Sequence, residues 1–452
     1  MENPVRTLYE NHAYPAMSHP ISDPALSAVA ASIGGLRTPP PAGARILEIG
    51  CCSGHNLIPL AMRWPQSECV GMDFDEKSIR EARARAAGAG AANVQFEAAD
   101  LRDYQAGGGK FDYIIAHGFF SWVPDEVKAA LLIFCRENLN PSGIATISFN
   151  LECGWAARFP VIQKARMIQE VGGVAVISAL EVLREMTAAD SPEIAIIDDM
   201  LAKGPAILAF DDFGPVNDAW PLDRFAQAAA NAGLKWLGET DPAENIPSSL
   251  SDEVVEALAE RGLGPLELQM AADSLAGRTF RSGVLCRADA PTEERIFLNR
   301  VLDFSLRAGK KPEGPMKIAL WQAIQGHGPC AVSAGLVGSS LPEMEVRELA
   351  GMIYDGISNG WILARIEPVV FDSTPPDFPR LNPFRGLCAE QKLPLVDIWH
   401  KPCLFPEAHY QVLTKMDGSR SREEIADFAR AHCPELAFDP WLRHLTERGM
   451  FA

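Results

Sequence analysis

No two cysteines of this 452-residue chain stand in a C-x-x-C spacing, which removes the commonest thiolate metal sites and redox motifs from consideration. The ten cysteines are scattered, at 51, 52, 69, 135, 153, 286, 330, 388, 403 and 433, mostly in apolar runs. No disulfide framework and no metal site are expected, and reduced thiols of a cytoplasmic protein fit the pattern. Positive charge is in deficit too: 41 Lys and Arg face 59 Asp and Glu, a formal charge of −18. A general basic surface for nucleic acid is thereby excluded, whereas solubility, or a cationic substrate, is consistent with the acidity. Nowhere do eighteen apolar residues run together without a charge, so no membrane insertion is expected. Met1 to Pro4 lead into polar sequence rather than an apolar signal core. No internal repeat is visible.

What is present is ordinary globular composition, 47% hydrophobic and 22% charged, in a length that calls for two or three domains. The organising stretch is Ala44 to Asn56. Arg45-Ile46-Leu47-Glu48-Ile49 reads as a short apolar strand running into a turn with Gly50 and Gly54, and then into a helix from Leu57. Strand, glycine turn and helix in succession form the first half of a nucleotide-binding βαβ unit, with helix-starting N–H groups aimed at the ligand. Three more strands follow at Cys69–Met72, Asn93–Phe96 and Phe111–Ala116, each separated by helical or loop sequence, and a fifth at Ile144–Phe149. The turn Asn140-Pro141-Ser142-Gly143 precedes that fifth strand. This alternation predicts a doubly wound, mostly parallel α/β sheet with ligands beyond the carboxyl ends of its strands.

Helical insertions are expected at about 151–210 and 239–278, with a strand at Leu234–Leu237 and an antiparallel partner at Arg278–Cys286. Residues 1–43 form an arm in which Tyr9, Tyr14 and His19 precede a short helix and a proline-stiffened linker, and Tyr14 or His19 is a candidate lid over the pocket. Residues 291–452 change texture, with helices and short strands that suggest a winged-helix-like α+β region. The organisation is thus an arm (1–43), a Rossmann-like domain with insertions (44–290) and a C-terminal domain (291–452).

Two ligands compete for the glycine turn. A dinucleotide wants G-x-G-x-x-G, whereas here the order is Glu48-x-Gly50-x-Cys52-x-Gly54, without that third glycine register. Acidic residues end three consecutive strands. Glu48 suits the ammonium of S-adenosylmethionine (SAM), Asp73 its two ribose hydroxyls, and Asp100 its adenine amino group, beside the Leu101 N–H. That triple spacing favours SAM over NAD.

The strings I-L-E-I-G-C-C-S-G-H-N, V-G-M-D-F-D, H-G-F-F-S-W-V-P and S-F-N…G-W resemble class I SAM-dependent methyltransferases that carry a methyltransferase regulatory domain. Rickettsial-type bacterial protein-lysine methyltransferases belong to that group. F-D-D-F-G-P-V-N, R-T-F-R-S-G-V-L-C and V-D-I-W-H-K-P extend the resemblance over most of the chain. It implies a SAM turn at Gly50 and Gly54, with Cys52 in place of a middle glycine and Asn56 and Phe74 beside the cofactor. It also implies that His117 borders the donor and the substrate channel, with Tyr14, Asn150 and Trp155 as further candidate catalytic residues. Phe149 and Glu152-Cys153 depart from the group's pattern at the border of the expected substrate pocket.

The expected activity is methyl transfer to a nitrogen, a lysine-like amine of a protein or peptide. His117 or water would accept the proton and aromatic faces such as Phe119 and Trp122 would attend the sulfonium. Methylation of a small metabolite and an inactive SAM-binding scaffold are the alternatives; a homodimer is compatible with the reading.

Overall fold

A computed structural model describes residues 5, 7–8, 14–105, 107–246, 249–293, 298–342 and 344–451. Met1 to Pro4 and Tyr9, which the sequence reading used, lie outside them. The strands are β1 (Arg45–Ile49), β2 (Glu68–Asp73), β3 (Val94–Ala98), β4 (Phe111–Ala116), β5 (Leu139–Asn150), β6 (Leu234–Glu239) and β7 (Phe280–Arg287). They form one seven-stranded sheet in the order β3-β2-β1-β4-β5-β7-β6. The first five pair in parallel and β7 runs antiparallel to both β5 and β6.

Ile46, Leu47 and Ile49 of β1 are all fully buried, as the middle strand of a sheet covered on both faces requires. The sequence marks Asn140–Gly143 as a turn, but β5 runs straight through it, and the register with β4 slips between Phe111 and Tyr113. Gly143 permits this, because a Cβ there would stand 2.8 Å from the Phe111 carbonyl oxygen.

The helices of the first half are α1 (Pro24–Ile33), α2 (Leu57–Arg63), α3 (Glu76–Ala89), α4 (Asp125–Asn138), α5 (Glu152–Gly172), α6 (Val176–Met186), α7 (Glu193–Lys203), α8 (Pro205–Phe210) and α9 (Leu222–Asn231). α3 is set by local chemistry. The Asp75 carboxylate accepts from the Ser78 N–H at 2.9 Å, and Gly90 takes the left-handed conformation at its end. One face of the sheet packs on α1, α2 and α3, the other on α4 and α9, whose Phe134, Phe225 and Ala229 are buried there. α5 to α8 make a separate small core around Trp155, Ile162, Leu183 and Ile197. Two further helices, α10 (Asp252–Ala259) and α11 (Pro265–Ala276), fill the connection between β6 and β7.

Beyond Arg287 come α12 (Pro315–Gln325), α13 (Ala334–Ser339) and α14 (Val346–Ser358) with β8 (Ser305–Ala308), β9 (Val332–Ser333) and β10 (Ile362–Arg365) in a three-stranded antiparallel sheet. The end of the chain adds α15 (Pro383–Glu390), β11 (Leu395–Val396), β12 (Pro402–Cys403), α16 (Glu407–Leu413), α17 (Arg422–His432) and α18 (Phe438–Glu447), with β11 and β12 paired antiparallel. Phe384, Cys388, Leu395 and Tyr410 join the same core as Ile58, Ile79 and Ala86 of α2 and α3. The last part of the chain therefore lies directly against the helices behind the glycine turn. No helix among the described residues is long and apolar enough to cross a membrane.

Candidate active site

The carboxyl ends of β1, β2, β4 and β5 open into a cavity of about 560 Å³. Its lining includes Glu48, Gly50, Cys52, Asn56, Asp73, Phe74, Asp100, Leu101 and His117, and also Tyr14, Asn150 and Trp155. All the candidate cofactor and catalytic residues but Gly54 are on this wall. Phe149, expected at its border, is instead sealed in the core with its ring stacked 4.1 Å from Phe225, and Glu152 and Cys153 do not line the cavity either. A Cβ on Gly54 would meet Phe96 Cζ at 2.7 Å, and one on Gly50 would meet Phe119 Cδ2 at 2.9 Å. Both glycines also have positive φ, +75° at Gly50 and +72° at Gly54. They are required by the turn and by the aromatic rings packed on it, more than by space for a ligand.

Cys52 adopts φ +45°, a conformation that costs an L-residue about 1–2 kcal/mol. Its N–H donates to Asp73 Oδ2 at 2.9 Å, and the Asp75 N–H donates to Oδ1 at 2.9 Å. Those bonds, with a further one from the Cys52 side chain, fix the Asp73 carboxylate at the tip of β2 on the cavity wall, with acceptor capacity left for a ligand hydroxyl. Burial raises the Asp73 carboxyl above its ordinary value, and the two N–H bonds oppose that shift.

Glu48 is buried at the tip of β1. Its Oε1 accepts from Asn56 Nδ2 at 2.7 Å, while Oε2 is shut off from solvent and, among the described residues, meets no hydrogen-bond partner. Burial lifts this carboxyl to about 7, with the Asn56 bond lowering it and Asp73 adding to the rise. An orphaned carboxylate oxygen in a closed wall fits a cationic ligand group, which would satisfy it and favour its ionised form.

Asn56 itself is fully engaged. Its amide also donates to Ser22 Oγ at 2.9 Å, and its Oδ1 lies 2.8 Å from the His19 N–H and 2.7 Å from His400 Nε2. Asn56 therefore orients Glu48 rather than offering a free group. Asp100 is half-exposed and grips Arg102 with both oxygens, at 3.0 and 2.6 Å.

His117 follows β4 with its ring 4.2 Å from that of His19. Its Nδ1 is buried and, among the described residues, without a hydrogen-bond partner; burial, with His19 adding to it, keeps the imidazole's pKa well below 6.5. It is neutral at neutral pH, a weak base toward an ammonium.

The remainder of the wall comes from the arm and the helical insertion. Tyr14 packs edge-on against Phe210, ring centroids 5.2 Å apart. The Asn150 amide at the tip of β5 donates to Asn217 Oδ1 at 3.0 Å, and Asn217 Nδ2 donates to the Asp211 carbonyl at 2.9 Å. Trp155 donates its indole N–H to the Thr279 carbonyl at 3.0 Å. Trp122, Arg158, Asp199, Lys203, Phe210 and Asp211 complete this end.

Sequence reasoning missed most of that set. The one available pointer was the string F-D-D-F-G-P-V-N, which is the loop from Phe210 to Asn217. It missed as well the brace from the chain's end. His55 Nε2 lies 2.9 Å from the Pro394 carbonyl, Arg63 donates to the Ile398 carbonyl at 2.8 Å, and His400 reaches Asn56. Remote in sequence, His409, Cys433 and Glu435 hold one potential ligand atom each within 4.8 Å of one another, a grouping their spacing does not announce.

Fold and site together define a class: a Rossmann-like α/β domain whose strand tips carry carboxylates around a closed cavity, suited to a cationic nucleoside. A family model described as a methyltransferase domain matches residues 46–143, and one described as a predicted methyltransferase regulatory domain matches residues 204–287. Two segments of the chain therefore resemble methyltransferase domain models, the second a model of a predicted regulatory domain.

The uncharacterized protein RP789 of Rickettsia prowazekii is 27% identical over 331 residues, covering 68% of this chain and 58% of that protein. The uncharacterized protein RP028 of the same organism is 36% identical over 147 residues, 32% of this chain and 59% of that protein. The chain spans about three fifths of the length of these two curated relatives. The structure of PKMT2 from Rickettsia typhi in complex with AdoHcy superposes with a TM-score of 0.77 at 20% identity, over 94% of this chain and 92% of that one. That likeness establishes a shared fold over nearly the whole chain.

Proposed function

We propose that the protein is a SAM-dependent methyltransferase that acts on an amine nitrogen of a protein or peptide. The observation that carries this reading is the pair of buried carboxylates at adjoining strand tips, Glu48 with its unsatisfied Oε2 and Asp73 with lone pairs to spare. Asp73 suits a ribose of either kind of ligand, but Glu48 beside the glycine turn disfavours a pyrophosphate there and suits a positive charge. The AdoHcy complex of a protein sharing this fold supports the same choice.

SAM, when bound, supplies an electrophilic methyl group on a sulfonium. Glu48 would hold its ammonium, Asp73 its ribose, and Asp100 with the Leu101 N–H its adenine. Phe119 and Trp122 line the cavity near these groups and offer aromatic faces to positive charge. The chain's task is then to align the acceptor, an entropic gain that reaches about 7–11 kcal/mol in favourable cases. His117, neutral and packed on His19, shapes the passage between donor and acceptor.

We read residues 1–43 as a lid, 44–290 as the catalytic domain and 291–452 as the substrate-presenting part. Within the last, α12, β9, α13, α14 and β10 on a three-stranded sheet support a winged-helix-like module, and a homodimer would offer each acceptor two such surfaces. Calorimetry with SAM, followed by incubation with labelled SAM and separate protein and metabolite pools, tests the function. Label in protein supports it; SAM binding with label only in metabolites, or in nothing, refutes the protein acceptor.

A further inference from the structure

The acceptor end of the cavity is electrically unbalanced. Arg158 Nη2 is held by Asp199 at 2.8 Å and by Asp212 at 3.0 Å. Lys203 Nζ is held by Asp212 at 2.7 Å, with Asp199 at 4.0 Å. Two cations and two carboxylates thus close on each other. Asp211 is the carboxylate left over. It lines the cavity, and among the described residues its side chain makes no hydrogen bond or ion pair, Lys203 attracting it only through space.

Its backbone, by contrast, is held firmly. The Asp211 N–H caps α8 on the Ile207 carbonyl at 2.8 Å, and its carbonyl accepts from Asn217 at 2.9 Å and from the Trp122 indole at 3.5 Å. Tyr14, Trp122 and Phe210 supply aromatic wall around it. A fixed backbone carrying an unpaired carboxylate, beside aromatic faces and inside a cavity, is a receptor for an alkylammonium ion.

We propose that Asp211 is the anchor for the acceptor's ammonium group, a protonated primary amine on an unbranched stem such as a lysine side chain, which enters between Tyr14, Trp122 and Phe210. The proposal rests on the methyltransferase reading for the identity of the reaction but not for the binding itself. The aromatic rings cover the methylene stem while the carboxylate takes the N–H donors. Burial raises the Asp211 carboxyl to about 6, opposed by Lys203 and reinforced by Asp212, so it is ionised at neutral pH. The other titratable groups that face it are the Tyr14 phenol and the Lys203 ammonium.

The test uses the full-length protein, with and without S-adenosylhomocysteine, titrated with n-pentylamine and with its neutral counterpart n-pentanol at neutral pH and followed by ligand-observed NMR. Wild type is expected to bind the amine about tenfold more tightly than the alcohol. Asp211→Asn should erase that preference while keeping its affinity for S-adenosylhomocysteine, and Asp211→Glu should restore part of it. Equal affinities in wild type, or an undiminished preference in Asp211→Asn, overturn the proposal. If S-adenosylhomocysteine fails to bind at all, the methyltransferase reading falls while the amine titration still decides the role of Asp211.

Discussion

The two ends of the cavity are built by different means. At the donor end, Glu48, Asp73 and Asp100 each stand at or just past the end of a parallel strand, within about one turn of a glycine or a helix start. Sheet pairing alone brings them together. At the acceptor end, Tyr14 comes from the arm, Trp122 from a short turn after β4, Arg158 from α5, Lys203 from α7 and Asp211 from the loop after α8. Only the packing of the helical insertion over the sheet assembles that wall. The donor end is thus a property of the fold class, whereas the acceptor end can change with the insertion and set specificity.

The largest expected effect is at the donor end. Asp73→Ala removes the proposed ribose contact and also strands the Cys52 and Asp75 N–H groups, so SAM affinity should fall by about 100-fold or more in calorimetry. Unchanged affinity would undo the ribose assignment and with it the contrast between the two ends. At the acceptor end, Arg158→Met leaves the fully buried Asp212 carboxylate to Lys203 alone. Loss of a partner in such a group costs about 3–5 kcal/mol when buried, and less here because Asp199 is half-exposed. Thermal melts should show that loss, and the acceptor KM should rise with SAM affinity intact.

Glu48 offers a pH test. Its carboxyl is lifted to about 7 in the folded protein, above its ordinary 4.5. The folded state therefore holds this proton more tightly than the unfolded chain. Its contribution to stability is fully present below about pH 4.5 and fades as pH rises toward 7. Glu48→Gln should accordingly raise Tm more at pH 8 than at pH 5, relative to wild type, and should flatten the rise in SAM affinity between about pH 6 and 8. A parallel pair of melting profiles would contradict the shift. The smallest effect belongs to the brace. His400→Leu removes the partner of Asn56 that orients Glu48, and SAM affinity should drop about three- to fivefold with acceptor binding untouched.

Legibility in the sequence follows the same division. Asp73 and Asp100 are readable because each stands just past a short apolar strand, Cys69–Met72 and Asn93–Phe96, and ahead of helical or turn sequence. The β6–β7 antiparallel pair was readable from Leu234 and Phe280 for the same reason. Gly50 and Gly54 were readable as a turn, but their reason was not, since Phe119 and Phe96 lie far along the chain. Asp211 was visible only as part of a string, because nothing local distinguishes it from Asp212. The two neighbours differ by which way their side chains leave the chain: Asp212 is sealed against Arg158 and Lys203, while Asp211 lines the cavity. His400 too was visible only inside a string, V-D-I-W-H-K-P, with nothing local to mark it as the support of Asn56, 344 residues away.

By itself, the sequence determined the parallel sheet and the carboxylates at its strand tips, because hydrophobic periodicity and turn residues act over a few residues. Tertiary structure alone decided which carboxylates stay unpaired, which histidine is held neutral, and that the chain's last segment braces the glycine turn. Those outcomes depend on burial and on partners tens to hundreds of residues away, and neither is written in local order.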